Sequence, residues 1–240
     1  MYKNYIFDLY GTLVDIRTNE NSGYLWKKMQ EFYGFHGAEY SSVELKRLYA
    51  RLCKQEEKKA ETEGFSEIQI EKVFDGLFRE KNVIVSDDTI YTVCEFFRII
   101  STKYVKLYDG VIELFEELKK KDKKIYLLSN AQRVFTEPEI KYLGIWDYFD
   151  GIFISSNERY KKPSSEFFNA LIKKYGLNVK ESIMIGNDGT SDIEGACRAG
   201  MDSLYIRTDI SPQGEKPEDV GATYVISDGD FTKIGAIVLK

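Results

Sequence analysis

The sequence predicts an α/β fold, a doubly wound parallel sheet with one inserted helical domain. Three observations indicate this fold class. Short apolar runs of β-favouring residues alternate with amphipathic helices from residue 111 onwards, which is typical of βαβ units and a parallel sheet. A single earlier run of the same kind lies at residues 4–7. Residues 16–107, between that run and the rest, carry helical rather than strand periodicity.

The first predicted strand is followed at once by a carboxylate. Tyr5, Ile6 and Phe7 form an apolar run that fits a buried strand. Asp8 comes next, and Gly11 permits a sharp turn after it. Ligands of open α/β sheets bind outside the carboxyl ends of the strands, where a carboxylate can attack an electrophile and form a covalent intermediate. Taken alone, Asp8 is better explained as the cap of a turn.

The following segment is predicted to be mostly helical. Charged residues such as those from Lys54 to Lys59 indicate solvated helix faces. Because the first strand cannot pair with its neighbours until the chain returns, we expect residues 16–107 to form an inserted domain. Residues 1–15 and 108–240 would then form the α/β core. Three apolar stripes with spacings of three and four support the helices: Leu45, Leu48, Tyr49 and Leu52; Ile70, Val73, Phe74 and Leu77; Val93, Phe96, Phe97 and Ile100.

The chain is predicted to return to the core near residues 108–110. An amphipathic helix begins at Val111 and ends in three lysines, which suit the helix dipole. A second helix is expected from Ser164 to Gly176, because a hydroxyl cap and a glycine mark its ends. A third continues to about Gly200. Strands are predicted at residues 125–128, 151–154 and 183–185, and near 204–206 and 224–226.

Composition limits the class of protein and its partners. The 240 residues are 43% apolar, and 34 Lys and Arg stand against 39 Asp and Glu, a net charge of −5. No long basic run is present, which argues against nucleic acid as a partner. No apolar stretch approaches the roughly 18 residues of a membrane span, and no signal-peptide pattern precedes the first strand. We therefore expect a cytoplasmic protein that binds neither nucleic acid nor membrane.

Cysteine and histidine provide little chemistry in this chain. Cys53, Cys94 and Cys197 are scattered, show no metal-site spacing and suit free thiols. His36, the single histidine, lies in a Gly-Phe-His-Gly turn. A histidine triad or a zinc site is therefore not expected, and any chemistry must come from carboxylates, hydroxyls and lysines.

Polar residues follow four of the predicted strands, and their carboxyl ends face the same way in a parallel sheet. They can therefore converge on one crevice. They are Asp8; Ser129 with Asn130; Lys162; and the group Asn187, Asp188 and Asp192.

Each of these residues has a role if a phosphoryl group lies in the crevice. Asp8 would attack phosphorus, and the hydroxyls of Thr12 and Ser129 would donate to its oxygens. Lys162 would neutralise charge, and backbone N–H groups after Asp8, at Asn130 and at Ala131 would complete the cradle. The acidic group suits Mg²⁺, which also shields the nucleophile from the phosphate.

Each motif alone also has an ordinary structural explanation. Ser129 can cap a strand end, and Lys162 can be a surface residue. Asp188 and Asp192 can cap a helix N-terminus. The occurrence of all four motifs in this order, each after its own apolar strand, favours a functional site.

This order of motifs resembles the haloacid dehalogenase-like hydrolase superfamily over nearly the whole chain. The resemblance implies a Rossmann-like core with Asp8 as nucleophile. It also implies that the helical insert is the cap of the subgroup containing phosphoglycolate phosphatases, β-phosphoglucomutases and 2-haloacid dehalogenases. The four matching motifs are Phe7-Asp8-Leu9-Tyr10-Gly11-Thr12; Leu128-Ser129-Asn130; Lys162-Pro163 with the helix start after it; and Gly186-Asn187-Asp188 through Asp192.

Two positions depart from the pattern of the family's phosphatases. Tyr10 stands where they usually carry a second Asp, as it does in 2-haloacid dehalogenases, which attack carbon and need no metal. A tyrosine hydroxyl, with a pKa of about 10, is a poor base near neutral pH. Asn187 aligns with the usual first Asp of the fourth motif, and Asp188 follows it. The first departure favours dehalogenation, whereas retention of an acidic motif favours a metal.

The sequence therefore predicts a Mg²⁺-dependent phosphatase of a small phosphorylated metabolite. Asp8, Tyr10, Ser129 and Lys162 would form the catalytic set, and Thr12 and Asn130 would bind substrate. The metal would contact Asp8, the Tyr10 carbonyl and Asp188, with Asn187 beside them and Asp192 in support. The alternatives are a metal-free 2-haloacid dehalogenase and a degenerate member that binds without turnover. Substrate choice would lie in the cap, where Arg17, Arg47 and Arg51 are candidates.

Overall fold

A computed structural model describes residues 2–239, in which six parallel strands form the central sheet. Its order is β5-β4-β1-β6-β7-β8, so the chain winds outward in both directions from β1. The predicted doubly wound fold is therefore confirmed. The described part of the chain contains these strands: β1 (Asn4–Phe7), β2 (Val14–Thr18), β3 (Thr102–Leu107), β4 (Lys124–Ser129), β5 (Gly151–Ile154), β6 (Ser182–Gly186), β7 (Asp202–Ile206) and β8 (Tyr224–Ile226).

Helices connect the strands, and their ends follow local sequence signals. The side chain of Ser164 accepts the N–H of Phe167, and Gly176 ends the same helix in the left-handed conformation, as predicted. No helix within residues 2–239 is long and apolar enough to cross a bilayer. The α-helices are α1 (Gly23–Phe35), α2 (Ser42–Thr62), α3 (Ile70–Arg79), α4 (Asp87–Ser101), α5 (Val111–Lys120), α6 (Arg133–Tyr142), α7 (Ser155–Glu158), α8 (Ser165–Tyr175), α9 (Gly195–Arg198) and α10 (Thr232–Val238).

Strand β1 is buried on both faces, which explains its unbroken apolar run. Tyr5 and Phe7 belong to one apolar cluster, in which the Phe7 and Phe115 rings lie 5.3 Å apart. Ile6 belongs to the opposite cluster, together with Phe168 of α8. The two clusters hold β1 at the centre of the molecule and fix the place where Asp8 begins.

Helices α1 to α4 pack around a separate aromatic cluster. Trp26, Tyr33, Phe74 and Phe97 are among its buried members, and the predicted stripes of α2, α3 and α4 face it. The cluster also includes Phe135 of α6, so the helices of the insert pack directly against the sheet-bearing part. The division into residues 1–15 with 108–240 and residues 16–107 stays a prediction.

The structure differs from the sequence prediction at both ends of the insert. The strand signal was expected to be largely absent between Ile16 and Leu107, yet β2 and β3 form a two-stranded antiparallel ribbon. Val14 pairs with Leu107 in this ribbon. Each strand is short and largely outside the core, and their partners are far apart in sequence. The sequence therefore contains no hairpin-turn signal that would predict the pairing of β2 with β3.

Candidate active site

The predicted site residues lie together at the carboxyl edge of three adjacent strands. Asp8 directly follows β1, Ser129 ends β4 and Asn187 directly follows β6. Lys162 lies in the loop between α7 and α8. All four side chains are buried, with Asp8 the most accessible at 8% exposure.

Lys162 bridges two buried carboxylates. Its Nζ lies 2.6 Å from Oδ1 of Asp8 and 2.7 Å from Oδ1 of Asp192. Burial alone would lower the pKa of Lys162, but Asp192 and Asp8 outweigh burial and raise it. Burial raises the pKa of Asp192 to about 7, against the opposing effect of Lys162 and with a further increase from Asp8. One ammonium thus faces two carboxylates, and the raised pKa means that Asp192 takes up a proton near neutral pH, which removes the excess negative charge.

Thr12 and Gly11 bring Asn187 next to the nucleophile. The Thr12 hydroxyl lies 3.2 Å from Oδ2 of Asp8 and 3.1 Å from Oδ1 of Asn187. Gly11 has φ +85°, and a Cβ at this position would lie 2.3 Å from Nδ2 of Asn187. A glycine is therefore required both for the turn and for the approach of the amide.

Asp188 has a different arrangement from Asn187. Its Oδ1 accepts the N–H groups of Thr190 and Ser191 at 2.9 and 2.7 Å, which caps the π-helical turn of residues 189–194. Its own N–H donates to Oδ2 of Asp192 at 3.1 Å. The structure therefore brings Asn187 onto Thr12, and Asp188 has the helix-capping contacts that the simpler explanation predicts.

Asn130 organises the loop that carries Lys162. Its side chain donates to the Lys162 carbonyl at 3.0 Å and accepts the Lys162 N–H at 2.7 Å. The sequence analysis expected the Ala131 N–H to bind a phosphoryl oxygen. In the structure it donates to Oγ of Ser155 at 2.8 Å and is therefore not free to do so. The Asn130 side chain therefore fixes the backbone of Lys162.

Several hydrogen-bond donors near Asp8 have no acceptor. The hydroxyl of Ser129 is buried and has no partner in the described chain. Across residues 2–239, the N–H groups of Leu9, Tyr10 and Asn130 likewise donate to no protein atom. Leu9 and Ser129 are buried, Tyr10 is half-buried and Asn130 is exposed. Because buried donors are almost always satisfied in folded proteins, the Leu9 N–H and the Ser129 hydroxyl indicate a place for an anion or water at this edge.

The Tyr10 side chain points away from this group. Its hydroxyl donates to Oε2 of Glu139 at 2.5 Å and lies 3.1 Å from Oγ1 of Thr136. Arg98 of α4 pairs with Glu139 at 2.6 Å and stacks over the Tyr10 ring. Burial raises the pKa of Tyr10, and the charge of Glu139 raises it further. The hydroxyl is therefore neutral and bound to α6, and no sequence pattern identified Arg98 or Glu139 as its partners.

The loop between α2 and α3 contacts the strand-end segments of the core. Glu67 accepts from Oγ of Ser155 at 2.8 Å and from Nε2 of Gln132 at 3.3 Å. The N–H groups of Ser66 and Glu67 both donate to the Arg159 carbonyl at 3.0 Å. The loop thus lies against the segments that carry Asn130 and Lys162.

The arginines proposed for substrate choice lie elsewhere. Arg47 and Arg51 line a polar groove of about 570 Å³ on the first half of α2, and Arg51 pairs with Glu80 at 2.9 Å. Arg17 is exposed on β2. None of the three makes a hydrogen bond to the strand-end residues described above. Their roles stay predictions.

The oxygen atoms beside Asp8 match the ligand preference of Mg²⁺ only with water and substrate included. No group of three or more His, Cys, Asp or Glu in the described residues could by itself hold a metal ion. Oδ2 of Asp8 and Oδ1 of Asn187 share the Thr12 hydroxyl, and the carbonyl of Tyr10 is close in the chain. Mg²⁺ commonly uses one or two protein oxygens plus waters and phosphate, so this donor set fits it.

Comparison with known proteins identifies the family. A family model described as haloacid dehalogenase-like hydrolase matches residues 2–200. The chain belongs to this family. This hydrolase is 27% identical over 95 residues to the glyceraldehyde 3-phosphate phosphatase of Methanothermobacter thermautotrophicus, covering 40% of this chain and 42% of that one. The matches span about half the length of the curated relatives or less.

Solved structures of both enzyme types share the fold. The HAD phosphatase of Thermococcus onnurineus superposes with a TM-score of 0.61 and 19% identity, covering 98% of this chain and 97% of that one. The 2-haloacid dehalogenase of Pseudomonas syringae pv. Tomato DC3000 gives a TM-score of 0.65 and 18% identity, covering 100% and 99%. At these identities the likeness establishes the fold and leaves the reaction to the site itself.

Proposed function

We propose that this hydrolase is a phosphatase that forms a covalent intermediate on Asp8 with a small phosphate ester. The observation that carries the proposal is the set of unpaired donors beside Asp8, namely the Ser129 hydroxyl and the N–H groups of Leu9, Tyr10 and Asn130. Preorganised donors of this kind stabilise the oxygens of a reacting phosphoryl group without reorganisation. The phosphatase activity of the matched relatives supports the same choice.

The proposed reaction has two displacements at phosphorus. A carboxylate oxygen of Asp8 attacks, and the bond from phosphorus to the leaving oxygen breaks. Water then attacks phosphorus, releases inorganic phosphate and restores the Asp8 carboxylate. Lys162, whose Nζ lies 2.6 Å from Oδ1 of Asp8, would offset phosphoryl charge, and Thr12 would orient the second carboxylate oxygen.

Asp8, Asn187 and the Tyr10 carbonyl are the groups that would hold Mg²⁺. When bound, the ion would neutralise phosphoryl charge near the nucleophile. We assign Asn187 ahead of Asp188 because Asn187 shares Thr12 with Asp8, whereas Asp188 caps residues 190 and 191. A neutral amide in place of a carboxylate weakens the attraction for a divalent cation, so we expect weaker Mg²⁺ binding than an Asp would give.

The placement of Tyr10 narrows the substrate class. Its hydroxyl is bound to Glu139, so it cannot protonate the leaving oxygen. General acid–base help is typically worth roughly 10²–10⁴-fold. Phosphate esters with weakly basic leaving groups need this help least, so aryl and acyl phosphates should react much faster than alkyl phosphates.

The test is phosphate release from a series of aryl phosphates of graded leaving-group pKa, with and without Mg²⁺. We expect kcat/KM, which reports attack by Asp8, to fall steeply as the leaving group becomes more basic, and phosphate release to disappear in Asp8→Asn. The asparagine amide in Asp8→Asn has nearly the same shape as the carboxylate and is a far weaker nucleophile, so this variant is a matched control. Absence of phosphate release from every ester by the folded wild type would refute the proposal and leave the dehalogenase and the non-catalytic binding protein as alternatives.

Dehalogenation of short 2-haloacids is the second candidate, and the Tyr10 contact favours it. Halide leaves as an anion and needs no proton, so Asp8 could displace it from carbon without the acid that Tyr10 fails to supply. Water would then hydrolyse the resulting ester. Halide release from 2-chloropropionate in a chelator, with Asp8→Asn as control, separates this reaction from the phosphatase.

We also propose that residues 16–107 form a cap over the site. The contacts of Glu67 with Ser155 and Gln132, which join the α2–α3 loop to segments near Asn130 and Lys162, support this proposal. Residues of this loop are therefore stronger candidates for substrate contact than Arg47 and Arg51, which line the separate groove.

A further inference from the structure

The loop after β7 contacts both turns that carry the proposed site. This loop, from Arg207 to Glu215, is called the 207–215 loop here. It reaches the turn after Asp8 at one end and the turn after β6 at the other. No pattern in the sequence assigned it a function.

Glu215 holds the turn after β6. Its Oε1 accepts the N–H of Gly189 at 2.9 Å, one residue beyond Asp188. A Cβ on Gly189 would lie 2.4 Å from the same oxygen and 2.9 Å from Cγ1 of Val220. The close approach of the Glu215 carboxylate is therefore possible only because residue 189 is a glycine.

The second carboxylate oxygen of Glu215 is buried and has no partner among residues 2–239, and the same holds for the hydroxyl of Tyr205. Burial raises the pKa of Tyr205, and the neighbouring Glu215 carboxylate adds to it. A buried carboxylate oxygen without a hydrogen-bond partner is unfavourable. The surrounding fold must therefore hold the Glu215 side chain against the Gly189 N–H.

Thr208 holds the turn after the nucleophile. Its hydroxyl donates to the Gly11 carbonyl at 2.6 Å. Gly11 is the residue whose missing Cβ makes room for Asn187. The loop is itself braced, because Arg207 donates to the Glu215 carbonyl and Ser211 accepts the Thr208 N–H at 3.0 Å.

We infer that Thr208 and Glu215 are positioning residues that hold the Asp8 turn and the Asn187 turn at a fixed separation. Asp8 and Asn187 are the two side chains on either side of Thr12, so this separation determines whether both oxygens can face one cation. The link from position to Mg²⁺ binding rests on the proposed function. The contact of Glu215 with Gly189 does not.

The experiment has one arm that is independent of activity. Amide hydrogen exchange of Gly189 is followed by NMR in selectively labelled protein, for wild type, Glu215→Ala, Glu215→Gln and Glu218→Ala. Glutamine retains an oxygen that can accept the Gly189 N–H, and Glu218 is an exposed residue of the same segment. Exchange should accelerate by at least about tenfold in Glu215→Ala, because a hydrogen bond to a charged acceptor is lost. It should stay near the wild-type rate in Glu218→Ala and change less in Glu215→Gln.

The second arm measures Mg²⁺ affinity by calorimetry, together with kcat and KM. Glu215→Ala and the nearly isosteric Thr208→Val should each weaken Mg²⁺ binding by about threefold to tenfold and lower kcat, with little change in KM. Thr208→Val tests the other end of the loop if Glu215→Ala does not fold.

The outcomes are distinguishable. Unchanged exchange at Gly189 in Glu215→Ala overturns the inference, as does faster exchange with unchanged Mg²⁺ affinity and kcat in both variants. A wild type that neither binds Mg²⁺ nor releases phosphate overturns the proposed function, and the exchange arm then still decides whether Glu215 holds the turn.

Discussion

Removal of the Lys162 ammonium should expose the electrostatic cost of the site most directly. In Lys162→Met the Asp8 and Asp192 carboxylates lose the cation that contacts them at 2.6 and 2.7 Å. At an effective dielectric constant near 20, each contact is worth several kcal/mol before desolvation is subtracted. Breaking a buried pair by removing one partner typically costs about 3–5 kcal/mol. For a chain of this size the loss corresponds to about 6–20 °C in Tm.

Two controls make this prediction specific to charge. Lys162→Met/Asp192→Asn removes one of the facing carboxylates and should be more stable than the single variant. In the single variant, Asp192 has a pKa even further above its unfolded value. Its protonated form then stabilises the fold at low pH, and that stability is lost as pH rises from about 4 through the folded pKa. The loss of unfolding free energy in Lys162→Met, relative to wild type, should therefore be smaller at about pH 5 than at about pH 8.

The measurement is urea unfolding followed by circular dichroism at both pH values. A deficit below about 1 kcal/mol would show that solvent or local rearrangement compensates the two carboxylates. A double variant no more stable than the single one would show that the loss comes from packing of the lysine stem. Either result would refute the charge argument.

The remaining predictions concern the hydroxyls near the nucleophile and the Glu139 contact. Ser129→Ala should leave the free energy of unfolding unchanged, because the buried Ser129 hydroxyl has no partner in residues 2–239. It should lower kcat by about 10²-fold, because an oxyanion donor is lost. A large loss of stability in urea unfolding would argue for a structural hydroxyl. Tyr10→Phe should lower stability by about 1.5–3 kcal/mol and change kcat by less than about threefold, since the hydroxyl serves Glu139; a kcat loss above tenfold would give Tyr10 a chemical role. Glu139→Gln should lower the free energy of unfolding by about 3 kcal/mol in the same assay, because Arg98 loses its buried counter-charge. An unchanged unfolding midpoint would mean that water solvates the Arg98 guanidinium in the variant.

The sheet and the order of its polar ends could be predicted because each depends on local sequence. Tyr5 to Phe7 form an apolar run that fits a fully buried strand, and Asp8 follows it. The same logic places Ser129 after β4 and Asn187 after β6. Parallel pairing then brings these ends together without any knowledge of side-chain packing.

The contacts of Tyr10 could not be predicted in this way. Glu139 and Arg98 are single charged residues on otherwise ordinary helices, and they are separated from Tyr10 by 129 and 88 positions. The sequence also did not reveal that Asn187, and not Asp188, contacts Thr12. This contact depends on the space left by the absent Cβ of Gly11, which becomes visible only in three dimensions.

The β2–β3 ribbon makes the inserted segment exchangeable. Thr18 and Thr102 stand opposite each other at the far end of the ribbon, so both chain crossings occur at one place. A two-residue turn between these threonines would close the ribbon into a β-hairpin, without moving the strand that precedes Asp8. An insert of any length is acceptable there if its ends lie one strand spacing apart, about 5 Å. This architecture therefore lets recombination replace residues 19–101 while Asp8 stays where it is.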